Sequence, residues 1–348
     1  MKQIGAANGD DGNNSLTVTG SLVELGDTKG WKRKKFGNCR SLIVKNIPGQ
    51  VGITVSPDGQ NAVLVDAEDD FIKGLKISNR DGQVRIEGKP SKSSVSIKGK
   101  GINIGGINIR GRSTCIVGDN ITIVNGRVIG GQNINISSSP EDDSENGRVP
   151  RMIILIPAGI GIRVDDVRES AVLDVCGKLS VDLSDECRCF VRKCSDFNAD
   201  CSDGSSCEAI DITGRVKVDC DDAAKISISG NVTGVGIDAA DGSIASFSGN
   251  VQSDAEIEAS DGSTVSFSGN VQGDVEIEAS DGSTVNLEGV VDGDVEIDTS
   301  DRSTVNLNGV VNGDAEIEAS DGSNVFCRAR VCGSVYKDAS DGSNIFGV

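Results

Sequence analysis

Between Ser229 and Ser343 the chain writes nearly the same sentence six times. "SGNVTGVGIDAADGS", "SGNVQSDAEIEASDGS", "SGNVQGDVEIEASDGS", "EGVVDGDVEIDTSDRS", "NGVVNGDAEIEASDGS" and "RVCGSVYKDASDGS" recur with a spacing of 19 residues once and 20 thereafter. A period of this length, filled with short apolar-polar alternations and without a helical pattern, predicts a stack in which each repeat is one coil. The expected fold class is all-β, a single-stranded β-solenoid with about 20 residues per coil in the C-terminal half.

Stacking turns every column of the alignment into a face. Alternation places Val265, Phe267, Val271, Val275, Ile277 and Ala279 inside, with Val285, Leu287, Val291, Val295, Ile297 and Thr299 above them. Ser266, Ser268, Glu276 and Glu278 then face out. A narrow stack of aliphatic side chains needs few large rings, which accounts for an aromatic content of only 3%. The Ser-Asp-Gly turns fall on one corner, where Gly242, Gly262, Gly282, Gly322 and Gly342 suit a positive φ. Arg302 breaks that glycine column at some cost in strain and sits between Asp281 and Asp321.

Charge follows the repeat. From Asp221 onward there are 24 acidic and 5 basic residues, which accounts for the whole net charge of −19. Phosphate backbones are repelled by such a surface, so nucleic acid is not an expected partner. The chain has no His, which removes Ser-His hydrolysis and His-ligated zinc.

Ahead of the repeats, "RSLIVKNI", "VGITVSP", "NAVLVDA" and "QVRIEGK" are period-2 runs bounded by turn residues, the pattern of strands. The one helical signal is a turn at "EDDFIKGL". The predicted organisation is a weakly ordered N-terminal segment at 1–30, a β-rich region with a Gly/Asn-rich insertion at 31–138, an acidic loop or linker at 139–150, and the solenoid at 151–348, regular from about 230. No run approaches the roughly 20 apolar residues of a membrane span. The N-terminus lacks the apolar centre of a signal peptide, so the expected location is cytoplasmic, or the cell surface if a leader has been removed.

Two stretches, "FGNCRSLIVKNIPGQVGITVSPDGQNAVLVDAEDDFIKGLKI" and, beyond the insertion, "RMIILIPAGIGIRVDDVRESAVLDV", resemble the opening of the auto-transporter adhesin head GIN domain family. The similarity runs over roughly Phe36 to Val218. It implies a strand pair leading into a stacked β-coil, and no catalytic residue to carry over.

Four acidic columns follow from the repeat: Asp254, Asp274, Asp294 and Asp314; Glu256, Glu276, Glu296 and Glu316; Glu258, Glu278, Asp298 and Glu318; and Asp241, Asp261, Asp281, Asp301, Asp321 and Asp341. Rungs about 4.8 Å apart repel, and a hard cation would relieve them, so Asp261, Asp281, Asp301, Asp321, Glu276, Glu278, Glu296 and Asp298 are the candidates for weak Ca²⁺ binding. The sequence lacks the Gly-Gly-x-Gly-x-Asp nonapeptide of calcium coils. A solvated acidic face that keeps the particle soluble and a face for a basic partner are the alternatives. Glycoside hydrolysis needs two carboxyl groups about 5 to 9.5 Å apart in one cleft; here every coil offers the same pair, so an enzyme is not expected and no cofactor is implied.

Of the eleven cysteines, Cys176, Cys187, Cys189, Cys194, Cys201, Cys207 and Cys220 cluster. Spacing suggests stacked pairs, Cys187 with Cys207, Cys201 with Cys220 and Cys176 with Cys194, and the readings are buried thiols, disulfides or a thiolate metal site. "WKRKKFGNCR" reads as a solvated turn or an anionic-surface patch. At the other end Phe326 and Phe346 enter an outward column, Tyr336 replaces an outward Glu, and Lys337 enters the inward column of Ile277, Ile297 and Ile317. The three aromatics either cap the stack or dock another subunit. Together these features point to a non-enzymatic structural or interaction scaffold that self-associates or binds another protein. An adhesin-like binder of glycan or cations is the alternative, and a carboxylate-dependent polysaccharide enzyme comes third.

Overall fold

The computed structural model describes residues 30–88, 149–174 and 177–347, and the backbone strands, without their side chains, at Ser15–Thr19, Leu22–Gly26, Val95–Lys98, Asn103–Gly105, Thr114–Val124 and Arg127–Ser138. Most of the 1–30 segment, the side chains of the insertion and most of the 139–150 linker lie outside the described residues.

The rest is a β-solenoid of about nine turns with about 20 residues per turn. One coil shows the construction. Thr264–Ser268 forms one side, Val271 makes a lone bridge on a second, Val275–Ala279 forms the third, and Ser280 to Ser283 turn the corner into the next coil. Alternate residues of Val275–Ala279 are buried and exposed. The twelve inward positions predicted from Val265 to Thr299 are all buried, whereas Lys337, in the same column of the last described coil, is exposed. Coils pair in parallel and in register: Glu256 with Glu276, Ile257 with Ile277, Glu278 with Asp298. The Phe247 and Phe267 rings stack inside at 4.9 Å.

The register runs well ahead of the visible repeat. On one side Asp165 pairs with Asp182, Asp182 with Asp200, Asp200 with Asp219, Asp219 with Asp238 and Asp238 with Glu258. The coil therefore lengthens from 17 to 18, 19, 19 and 20 residues, the extra residues being taken up between strands. Self-similarity at one fixed period cannot detect such a series.

The first coil is built differently. Ser41–Val55 is a single strand bent at Asn46 (φ 53°) whose two halves supply two sides of the stack. One half is flanked by Gln83–Glu87, and Lys76–Arg80 closes that sheet antiparallel. Against the other half, Arg151–Ile156 inserts between Ser41–Val55 and Ala62–Asp66. Lys32–Lys35 then forms the outer antiparallel strand. The basic run is thus an edge strand rather than a turn, with Lys32 paired to Asp69 and Arg33 to Asp58, and Trp31 lying under the Arg151 guanidinium. Charged side chains on an edge strand discourage pairing with another sheet. The expected turn is the short helix Asp69–Gly74, whose Phe71 and Ile72 pack on the core.

The corner turn holds adjacent coils together. Asp281 and Gly282 both adopt positive φ, 52° and 75°, and Arg302 is forced to 64° at the glycine position. The Ser after each turn is buried: Ser263, Ser283, Ser303 and Ser323 donate to the carbonyls of Ala239, Ala259, Ala279 and Thr299 in the coil below, at 2.8 to 3.0 Å. Elsewhere Gly289 approaches the coil beneath so closely that a Cβ would fall 1.7 Å from the Gly269 carbonyl oxygen.

Two substitutions of opposite sign test this packing. Gly289→Ala is expected to cost about 2 kcal/mol or more, because backbone must move, and Arg302→Gly to stabilise by about 1 kcal/mol, because the left-handed penalty disappears. Urea unfolding of each variant against the parent measures both.

Candidate functional site

In-register stacking converts one outward column into a continuous ladder of ten carboxylates: Asp165, Asp182, Asp200, Asp219, Asp238, Glu258, Glu278, Asp298, Glu318 and Asp338. A second, shorter ladder of Glu256, Glu276, Glu296 and Glu316 runs beside it on the same strands and ends at Tyr336. The longer ladder lines a groove of about 410 Å³ from Asp238 to Asp338.

The two ends of the ladder differ electrostatically. At the N-terminal end Arg163 reaches Asp165 at 2.6 Å and Asp182 at 3.1 Å, and Lys45 lies 3.6 Å from Asp165. From Glu258 onward the neighbours along the ladder are other carboxylates. Partial burial, then the charges of Asp238 and Glu278, raise the Glu258 carboxyl above the usual range, and burial followed by Glu296 and Glu256 does the same to Glu276. Asp182, Asp200 and Asp238 are also raised, with burial the first cause of each.

The eight candidate cation residues fall into two sets. Glu276, Glu278, Glu296 and Asp298 form a compact patch of two strands and two columns. Asp261, Asp281, Asp301 and Asp321 stand on the corner instead, in left-handed conformation with φ of 49 to 55°, and their carbonyls accept N–H bonds from Gly242, Gly262, Gly282 and Arg302 of the coil below. Among the described residues no group of three or more acidic or thiol side chains is arranged to chelate a metal ion.

The Asp254 column has structural work of its own. One carboxylate oxygen each of Asp254, Asp274, Asp294 and Asp314 accepts the N–H of Asp274, Asp294, Asp314 and Ser334, at 3.1, 2.9, 2.7 and 2.6 Å. Glycine precedes each donor because a Cβ on Gly293, for example, would lie 2.2 Å from the Asp274 oxygen. The recurring Gly-Asp dipeptide was the available signal for this second ladder of hydrogen bonds.

Cys201 stacks on Cys220, but Cys207 stacks on Cys189 rather than Cys187. The coil there is 18 residues long, so a pair 20 apart is out of register. Cys187 is buried at the turn and Cys194 bridges to Ile212, while Cys176 lies outside the described residues. No disulfide joins the described cysteines.

At the C-terminal side Phe326 and Phe346 stack at 5.0 Å, with the Arg328 guanidinium 5.3 Å from the Phe326 ring centre. Val335–Ala339 pairs with Ala315–Ala319 and all five of its residues are exposed, Tyr336 at 55%. Lys337 follows Ile317 in the inward column.

No family model matches the chain, the GIN domain included, and no curated protein matches it. Solved structures with a similar course are a "putative adhesin" from Bacteroides fragilis NCTC 9343 (12% identity, 89% of this chain, 98% of that one, TM-score 0.34), a "putative adhesin" from Parabacteroides merdae ATCC 43184 (8%, 91% and 94%, 0.32) and a "putative lipid binding protein" from Parabacteroides distasonis ATCC 8503 (9%, 88% and 96%, 0.28). Among the described residues no helix is long and apolar enough to cross a membrane.

The raised carboxylates fix the sign of a pH effect. A carboxyl whose folded pKa lies above its unfolded value favours the folded state more as it takes up its proton, so Asp182, Asp200, Asp238, Glu258 and Glu276 destabilise the fold at neutral pH. The thermal midpoint is expected to rise as pH falls from neutral to about 5. Below the usual carboxylate range this gain is complete, and the fold then loses the contribution of Asp58 and Asp69, whose carboxyls are held low, the first by the Gln60 N–H and the second by Lys32. A midpoint that falls steadily from neutral pH contradicts the ladder.

Proposed function

We propose that the protein is a non-enzymatic interaction scaffold, a stacked rod whose acidic groove keeps it soluble and whose last described coil associates with a second copy of the chain. The observation that carries this reading is the contrast between the two sides of the stack. The first coil is finished by the antiparallel strand Lys76–Arg80 and by Lys32–Lys35. Among the described residues, the coil containing Val335–Ala339 instead leaves Val335, Tyr336 and Phe346 exposed, and its strands pair only with the coil below. A strand edge of this kind is a template for addition. Recurrence of one carboxylate pair in four successive coils, from Glu256 and Glu258 to Glu316 and Glu318, supports a non-catalytic role. The burial of eight of the described cysteines suits a reducing compartment.

A second reading, an adhesin-like binder of glycan or cations, is favoured by the groove between Asp238 and Asp338 and by the raised carboxylates within it. Ca²⁺ would act there by screening the rows rather than through a chelating site.

Sedimentation velocity over a wide concentration range, with and without millimolar Ca²⁺, separates the two. The scaffold reading expects concentration-dependent association that is lost in the Phe326→Ser, Phe346→Ser double variant and persists with Ca²⁺ absent. A monomer at every concentration overturns it. A monomer whose thermal midpoint rises with Ca²⁺ would favour the second reading.

A further inference from the structure

Four buried cysteines meet at one corner of the stack, in the three coils that precede the visible repeats. Cys201 and Cys207 flank the turn "SDGSS" of one coil, Cys189 lies in register with Cys207 on the coil below, and Cys220 lies in register with Cys201 on the coil above. All four are at most 4% exposed. The Cys207 thiol contacts the thiols of both Cys189 and Cys201. The equivalent corner in later coils is filled by Ala259 and Val265. Aliphatic side chains of that size fill the same space, so packing alone does not call for sulfur.

Stacked parallel strands bring paired Cα atoms about 4.8 Å apart, inside the span of about 4.4 to 6.8 Å that a disulfide bridges. From the register of Cys189 with Cys207 and the contact of their thiols, we propose that these two cysteines are a peroxide-responsive disulfide site that staples adjacent coils. Hydrogen peroxide is the oxidant, a neutral molecule little larger than water. The sulfur of Cys189 attacks one peroxide oxygen, the O–O bond breaks, and a sulfenic acid forms with release of one water. The sulfur of Cys207 then attacks the Cys189 sulfur, the S–O bond breaks, and a second water leaves. Two thiols are oxidised to one disulfide and one peroxide is reduced to two waters.

The environment fits this order of events. The hydrogen bond from Cys207 holds the Cys189 thiol below its ordinary value, whereas the contacts to Cys189 and Cys201, with burial, push Cys207 up. These contacts favour Cys189 as the sulfur oxidised first and Cys207 as the one that resolves. Cys187, two residues away, is pushed up to about 12 by burial and has no in-register cysteine, so it stays a thiol. The new bond closes a loop of one coil, and restricting the unfolded chain in this way stabilises the folded one.

Trypsin places the relevant cysteines on separable peptides. Cys189 lies on 189–192, Cys207 with Cys194 and Cys201 on 194–215, Cys187 on 179–188 and Cys220 on 218–225. The full chain is treated with stoichiometric hydrogen peroxide, alkylated under denaturing conditions, digested without reductant and mapped by mass spectrometry. The expected product is 189–192 joined to 194–215 through Cys207, with 179–188 and 218–225 alkylated. The link should persist in Cys194→Ala and Cys201→Ala, vanish in Cys207→Ala, and raise the thermal midpoint of the parent by several degrees until dithiothreitol is added. Full alkylation of 189–192 after peroxide overturns the proposal, as does its recovery as a sulfinic or sulfonic acid or its linkage to any other peptide. The mapping on the parent chain decides the matter even if a variant does not fold.

Discussion

Everything in this structure depends on parallel, in-register pairing of one coil with the next. Pairing at about 4.8 Å copies each residue of a coil directly above its counterpart, so a side chain that suits one coil is tested against itself in all of them. Inward columns reward this with continuous packing, as from Val265 through Val285 and Val305 to Val325, each fully buried. Outward columns inherit the same repetition without the reward, and ten carboxylates come to stand in one line.

The stack answers that repulsion in three ways. Arg163 and Lys45 neutralise the first rungs of the ladder. The Asp254 column turns a carboxylate row into hydrogen-bond acceptors for the backbone of the coil above. At Asp238, Glu258 and Glu276 protonation becomes easier, so the acidic face carries a pH dependence that its composition alone would not reveal. Acidity here is partly structural and partly an exposed feature available for interaction.

The sequence made the solenoid legible because a 20-residue period has one economical explanation, and alternation within it assigned the inward columns correctly. It did not reveal that the same register reaches back to Asp165, because coils of 17, 18 and 19 residues break a fixed-period comparison while their strands stay aligned. The same drift in coil length moved the partner of Cys207 from Cys187 to Cys189. Nor did the repeat distinguish the Asp254 column from the Glu256 column, since both read as acids recurring at 20 residues. The direction of the Asp294 carboxylate toward a backbone N–H, with the glycine before each donor as its trace in the sequence, separates a structural acid from an exposed one. Open strand edges and aromatic stacking near Phe346 were legible as chemistry but not as a partner.

The in-register ladder is tested most directly by following the side-chain carboxyl ¹³C shifts of Glu256, Glu258, Glu276 and Glu278 through a pH titration by NMR. The ladder predicts that Glu258 and Glu276 titrate above the ordinary Glu value of about 4.3, with broadened, mutually dependent curves, and that Glu278→Gln moves both back toward it. Independent titrations at the ordinary value, indifferent to Glu278→Gln, would contradict the stacking on which the whole account rests.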